Sequence, residues 1–157
     1  MKQTGNKHKG CVGEYYAMYD ACSKGYLVSK MVESDLLGYD LVMDDGDKLY
    51  RVEVKTSDKS RRSNSSGLQF EDRVIFDLTS TTSCGNVNNY QYVHWFALFC
   101  PKWKKIAWLK REDAKSKKMM YISDFNKNYY QLPINNRIIQ NTSINEMNFI
   151  NNQVNLF

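Results

Sequence analysis

The sequence predicts an α+β domain: a mixed central β-sheet flanked by helices. Three observations point there. An apolar stripe at helical spacing opens the chain. An Asp-Gly turn joins two β-rich segments soon after it, and two further apolar segments follow long polar loops.

The first helix is expected over residues 10–24. Cys11, Tyr15, Met18 and Cys22 form its apolar stripe, flanked by Val12, Tyr19, Ala17 and Ala21, with Gly13, Asp20 and Lys24 on the polar face. Lys24-Gly25 supplies the stop. Residues 1–9 (MKQTGNKHK) read as a flexible basic arm. A short strand follows at 26–29, a connection at 32–39, and a second strand at 40–43. Asp44-Asp45-Gly46-Asp47 is a hairpin turn, because Asp-Gly tolerates the positive φ such turns need. Residues 49–56 (LYRVEVKT) form the third strand.

Residues 57–67 are polar, Ser-rich and basic, hence a loop, and 68–78 return to strand. Residues 79–89 are a second polar loop. The most apolar strand, 92–99 (YVHWFALF), is expected at the centre of the sheet, with 105–109 (KIAWL) as its hairpin partner. Residues 110–118 are charged and solvated, and 119–132 favour no single element. Ser143-x-x-Glu146 is a capping box for a short terminal helix. The whole chain of 157 residues is expected to be one domain, with a core at 10–110 and a C-terminal extension at 133–157.

Composition narrows the function classes. No run approaches the length of a membrane span, and the N-terminus lacks the apolar centre of a secretory signal. The four cysteines, Cys11, Cys22, Cys84 and Cys100, form no C-x-x-C pair, and only His8 and His94 accompany them. Reduced thiols in a cytoplasmic, reducing compartment of a bacterium or phage-infected cell are the simplest expectation, with cysteine catalysis and structural zinc disfavoured. The net charge is +5, yet residues 31–55 are strongly acidic. Basic segments suit a polyanion; an acidic island opposes one unless a cation lies between.

Four residues carry chemistry. Glu14 falls inside the apolar arc of the first helix, so it either meets a metal or reaches a lysine or solvent at the edge of the stripe. Asp40 opens a strand, where Asp is disfavoured unless it serves the preceding turn. Arg51, Glu53 and Lys55 alternate onto one strand face, with Tyr50, Val52 and Val54 on the other. A turn centred on Asp45-Gly46 sets Asp40 near Arg51, with Glu53 one diagonal step away. Carboxylates gathered this way suit Mg²⁺ or Mn²⁺, which bridge to a phosphodiester while a lysine serves the attacking water.

Glu14, Asp40 and Glu53-Val54-Lys55, spread over helix, strand, turn and strand, resemble the PD-(D/E)xK nuclease superfamily. Gly10-x-x-Gly13-Glu14, Gly38-Tyr39, Tyr39-Asp40-Leu41-Val42 and Val52-Glu53-Val54-Lys55-Thr56 all contribute, and the likeness covers roughly residues 10–110. Tyr39 stands where the motif has proline. The resemblance implies a restriction-endonuclease-like fold and a metal-dependent endonuclease that hydrolyses phosphodiester bonds of double-stranded DNA. It is nearest to small intron- or phage-encoded homing endonucleases, with Holliday-junction resolvases second. A non-catalytic nucleic-acid-binding module on the same fold is the alternative from another class.

Carried over, Asp40, Glu53 and the Val54 carbonyl hold Mg²⁺ (Mn²⁺ substituting), and Lys55 serves the water. Glu14 supports a second metal or holds a metal-bound water. Lys59, Arg61, Arg62, Asn64 and Gln69 are candidate DNA contacts, with Lys102 to Lys118 a further basic patch. A homodimer or homotetramer is implied, with no membrane partner and no small-molecule cofactor.

Overall fold

Leu49–Thr56 alternates apolar and charged side chains over eight residues, and this strand (β3) is the axis of the fold. The structure, a computed structural model, describes residues 4–32, 38–59, 73–81, 87–88, 92–114 and 119–137. Helix α1 (Thr4–Ser23) precedes β1 (Leu27–Lys30), β2 (Leu41–Asp44) and β3. Then come β4 (Val74–Asp77), β5 (Ser80–Thr81), β6 (Val87–Asn88), β7 (Trp95–Cys100), β8 (Lys105–Lys110) and β9 (Met119–Ile122). Short 3-10 turns lie at Arg111–Ala114 and Asn128–Tyr130.

The main sheet has the order β1-β2-β3-β7-β8. Only β3 and β7 pair in parallel, so the sheet is mixed, as the α+β class requires. The apolar strand expected at the centre is β7; it is interior, but β3 takes the central place. Residues 79–89, expected as loop throughout, contain the β5–β6 pair.

Helix α1 packs through its small residues. Ala17 and Ala21 are fully buried, and a Cβ on Gly13 would overlap the Thr56 hydroxyl. The helix is rotated part-way from the expected stripe: Met18 packs on the core with the flanking Ala17 and Ala21, but Tyr15 is 59% exposed and Cys22 is exposed too. Polar anchors explain the rotation. Asp20 Oδ2 accepts the indole N–H of buried Trp108 at 2.7 Å and pairs with Lys24. Tyr16 stacks on Phe99 at 4.4 Å and donates its hydroxyl to the Lys104 carbonyl. A buried indole N–H needs an acceptor, and Asp20 supplies one only if it faces the sheet.

The helix begins at Thr4, so residues 4–9 are helical and not an arm; Lys9 is tied to Asp58 at 2.9 Å. It ends in a Schellman motif, where the Tyr26 amide reaches the Ala21 carbonyl, the Gly25 amide reaches the Cys22 carbonyl, and Gly25 has φ 85°.

The opposite sheet face is covered by the antiparallel β4–β9 ribbon. Val74, Phe76, Met120 and Ile122 turn inward onto Phe96, Leu98 and Leu109, joined by Phe125 and Tyr130. The core therefore runs past residue 110 as far as Leu132. β9 escaped sequence reasoning because its partner β4 lies more than forty residues earlier. Among the described residues no helix is long and apolar enough to cross a membrane. Cys11, Cys22 and Cys100 are free thiols; Cys84 and the Ser143–Glu146 capping box lie outside the described residues.

Candidate active site

The β2–β3 register builds the site. Leu41 pairs with Val52 and Asp44 with Leu49, so continuing the ladder by one residue sets Asp40 level with Glu53. That differs by two residues from the expected Asp40–Arg51 alignment. The connection is a four-residue loop in place of a tight Asp-Gly pair. Asp44 Oδ1 accepts the Gly46 amide, and Asp45 Oδ1 accepts those of Asp47 and Lys48. Gly46 takes φ 93°. The longer loop brings the two carboxylates closer together than the sequence suggests.

Strand β3 turns its backbone groups alternately to either neighbour. The Val52 carbonyl accepts the Asp40 amide on the β2 side, whereas the Arg51 carbonyl accepts the His94 amide on the β7 side. Val54 therefore directs both its N–H and its C=O toward β2, but β2 pairs no further than Leu41. Asp40 fills the gap with its side chain: Oδ2 accepts the Val54 N–H at 2.7 Å. A carboxylate bonded to a strand amide is held in one orientation. The Val54 carbonyl opens onto the same edge.

Glu53 and Lys55 share the face away from α1 and form an ion pair at 2.8 Å. Glu53 is the buried charged residue of the core, only 9% exposed. Burial of a carboxylate demands compensation, and the Lys55 ammonium provides part of it. Beyond Lys55 lies a cleft of about 560 Å³, lined by Lys55, Ser57, Lys59, Asp77, Thr79 and Tyr121 among others. Asp77 accepts from the Thr79 hydroxyl and amide; these bonds, with the charges of Lys55 and Lys59, hold its carboxyl below the usual range.

The structure thus gathers Asp40, Glu53, Lys55 and the Val54 backbone at one strand edge. Glu14 approaches from α1. It pairs with Lys30 at 2.7 Å, on the helix side of the sheet, and this contact raises the Lys30 pKa. Pairing with a lysine is one of the expectations for Glu14, and Lys30 meets it. Among the described residues no three His, Cys, Asp or Glu side chains converge as a ready metal cluster. Lys59 lines the cleft; Arg61, Arg62, Asn64 and Gln69 lie outside the described residues.

Sequence reasoning missed Lys30 and Asp77. Lys30 ends an ordinary exposed strand, and Asp77 gains meaning only once β4 is set beside Lys55. His94 was read as a mid-strand residue; it precedes β7, and its Nδ1 accepts the Arg51 amide at 2.9 Å.

Among solved structures, a bacterial homing endonuclease, I-Ssp6803I, superposes with a TM-score of 0.57 at 20% identity, over 89% of this chain and 91% of that one. Hjc, a Holliday junction resolvase from Archaeoglobus fulgidus, gives a TM-score of 0.43 at 15% identity, over 78% of this chain and 93% of that one. The first supports the restriction-endonuclease-like fold. No curated protein matches the sequence significantly. The family model "PD-(D/E)XK endonuclease" matches residues 4–137, and the chain belongs to this family of nucleases.

Proposed function

We propose that the protein is a divalent-metal-dependent endonuclease that hydrolyses phosphodiester bonds of double-stranded DNA at specific sites. The observation carrying this reading is the juxtaposition of Asp40, clamped on the Val54 amide, with the buried Glu53–Lys55 pair.

The donor set fits a small hard cation. Two carboxylates and a strand carbonyl are oxygen ligands, and they meet at an edge where β2 no longer covers β3. Asp40, Glu53 and the Val54 carbonyl would hold the ion, with Mg²⁺ the natural choice and Mn²⁺ a substitute. When bound, such an ion supplies charge neutralisation for the phosphate and acidifies water.

The chain's own groups do the rest. Asp40 keeps its orientation through the Val54 N–H, so little reorganisation is needed as charge develops. Lys55 Nζ, anchored by Glu53, is placed to orient the attacking water and offset charge on the phosphate oxygens. Lys59, three residues beyond the end of β3, meets a neighbouring phosphate across the cleft. One such site cuts one strand, so cleavage of both strands calls for a twofold assembly of the chain.

The test is a cleavage assay on long, diverse duplex DNA with Mg²⁺, with chelator, and with Lys55→Ala. Discrete fragments formed only by the wild type with metal are the expected result. Undiminished metal-dependent cutting by both Lys55→Ala and Asp40→Ala would overturn the site. A four-way junction in parallel separates a linear from a branched substrate.

A further inference from the structure

One end of the catalytic face carries a cationic row that the proposed chemistry does not use. Val52 pairs with Trp95, and Trp95 with Lys110. One residue back along each ladder, Arg51, His94 and Arg111 stand side by side across three strands. Backbone bonds staple them: the Arg51 carbonyl accepts the His94 amide at 2.8 Å, and the His94 carbonyl accepts the Arg111 amide at 3.0 Å. Arg51 and Arg111 fall by alternation on the face of Glu53 and Phe96, away from α1, while the His94 ring stands edge-on to Tyr50 at 6.0 Å.

The side chains are organised beyond this. The Arg51 guanidinium lies over the rings of Tyr39 (6.0 Å) and Tyr92 (5.5 Å). Such contacts orient a guanidinium without neutralising it. Imidazole Nδ1 accepts the Arg51 amide, which assigns the proton of the neutral ring to Nε2 and leaves it as a donor. Among the described residues, the ion pairs include neither Arg51 nor His94. Burial, then the charges of Arg51, Lys48 and Arg111, push the His94 pKa down. Arg51 and His94, both half-buried, offer oriented donors beside the exposed Arg111, a grouping suited to an anion.

Its position identifies the anion. Arg51 and Glu53 are two strand residues apart, about 6.7 Å along β3, close to the separation of successive phosphates in one nucleic-acid strand. We propose that Arg51, His94 and Arg111 form a phosphate-binding row that holds the backbone phosphate next to the one cut at Glu53 and Lys55. The inference deepens the nuclease reading and rests on it.

Binding of a short labelled duplex, measured by fluorescence anisotropy in chelator across a salt series, tests it. Arg51→Gln and Arg111→Gln should each lower the slope of log affinity against log salt by about 1, the signature of one lost phosphate contact. Arg51→Lys should keep most of the slope. Lys24→Gln removes an equal charge on the opposite face of the sheet, where Lys24 of α1 pairs with Asp20, and should leave the slope unchanged. Thermal unfolding of each variant verifies folding, and Arg111→Gln serves if Arg51→Gln fails that check. A wild-type slope in the Arg variants, or an equal fall in Lys24→Gln, overturns the row while the nuclease reading stands. No duplex binding by the wild type overturns both.

Discussion

Asp40 and Val54 meet where β2 stops: the Asp40 carboxylate accepts the Val54 N–H at 2.7 Å, a bond the missing strand would otherwise make. The side chain thus has two separable duties, as backbone acceptor and as negative charge. Asp40→Asn keeps an acceptor and should fold with near-wild-type stability, yet lose Mn²⁺ binding and cleavage. Asp40→Ala loses the acceptor as well and should be destabilised by about 1–3 kcal/mol. Denaturant unfolding of both variants, with calorimetric titration of Mn²⁺, measures the two duties. Equal stability of Asn and Ala variants would dismiss the clamp.

Lys55 and Lys59 differ in what their ammonium groups touch. Lys55 is anchored on Glu53 at 2.8 Å, while Lys59 lines the mouth of the cleft. Lys55→Ala should lower the single-turnover cleavage rate by about 10²–10⁴-fold, the usual worth of a positioned proton-transfer group. Duplex affinity should be retained. Lys59→Ala should instead weaken binding and reduce its salt dependence, with the saturated rate near wild type. Interchanged effects would reassign the two lysines.

The parts of this site that were legible in sequence are those set by local pattern. The alternation in LYRVEVKT defined β3, and with it the shared face of Glu53 and Lys55. The Asp-Gly pair announced the hairpin but not its register, because the loop is closed by Asp44 and Asp45 side chains and holds four residues, not two. The rotation of α1 was illegible for a different reason. Counting apolar residues favours Tyr15 and Cys22, but close approach to the sheet rewards Gly13, Ala17 and Ala21. The anchor that decides the matter, Asp20 to Trp108, spans 88 residues. Glu14 lies on the same helix and meets Lys30 of β1.

Two glycines of α1 should respond oppositely to the same substitution. Alanine is favoured over glycine in a helix interior by about 1 kcal/mol. Gly10 has nothing within 4 Å of an added Cβ, so Gly10→Ala should stabilise by about 0.5–1 kcal/mol. At Gly13 an added Cβ would overlap the β-branched Thr56 side chain and come within 3.6 Å of the Phe99 ring. Gly13→Ala should therefore destabilise by about 1–3 kcal/mol, the range for overpacking. Thr56→Ala in that background should recover much of the loss, giving a clear coupling energy in a double-mutant cycle. The Thr56 hydroxyl is buried without a hydrogen-bond partner among the described residues, so its removal forfeits no bond. Additive effects of the two substitutions would mean that helix and strand do not meet at this point.

His94 predicts how stability depends on pH in the mildly acidic range. Burial and the neighbouring cations hold its folded pKa below 6.5, whereas the unfolded imidazole titrates at that value. As pH falls through 6.5, the unfolded chain binds a proton that the folded chain still resists. Stability must then decline with falling pH until the folded pKa is passed. Asp58 and Asp77 act in a separate window: their folded pKa values lie below 3.8, so their contribution is complete above 3.8 and is lost only as pH drops through the folded values. His94→Asn supplies an amide oxygen for the Arg51 N–H in place of Nδ1 while removing the titration. Urea unfolding of wild type and variant between about pH 7 and 5 should show a slope for the wild type that the variant lacks. A slope of equal size in His94→Asn would locate the titrating group elsewhere.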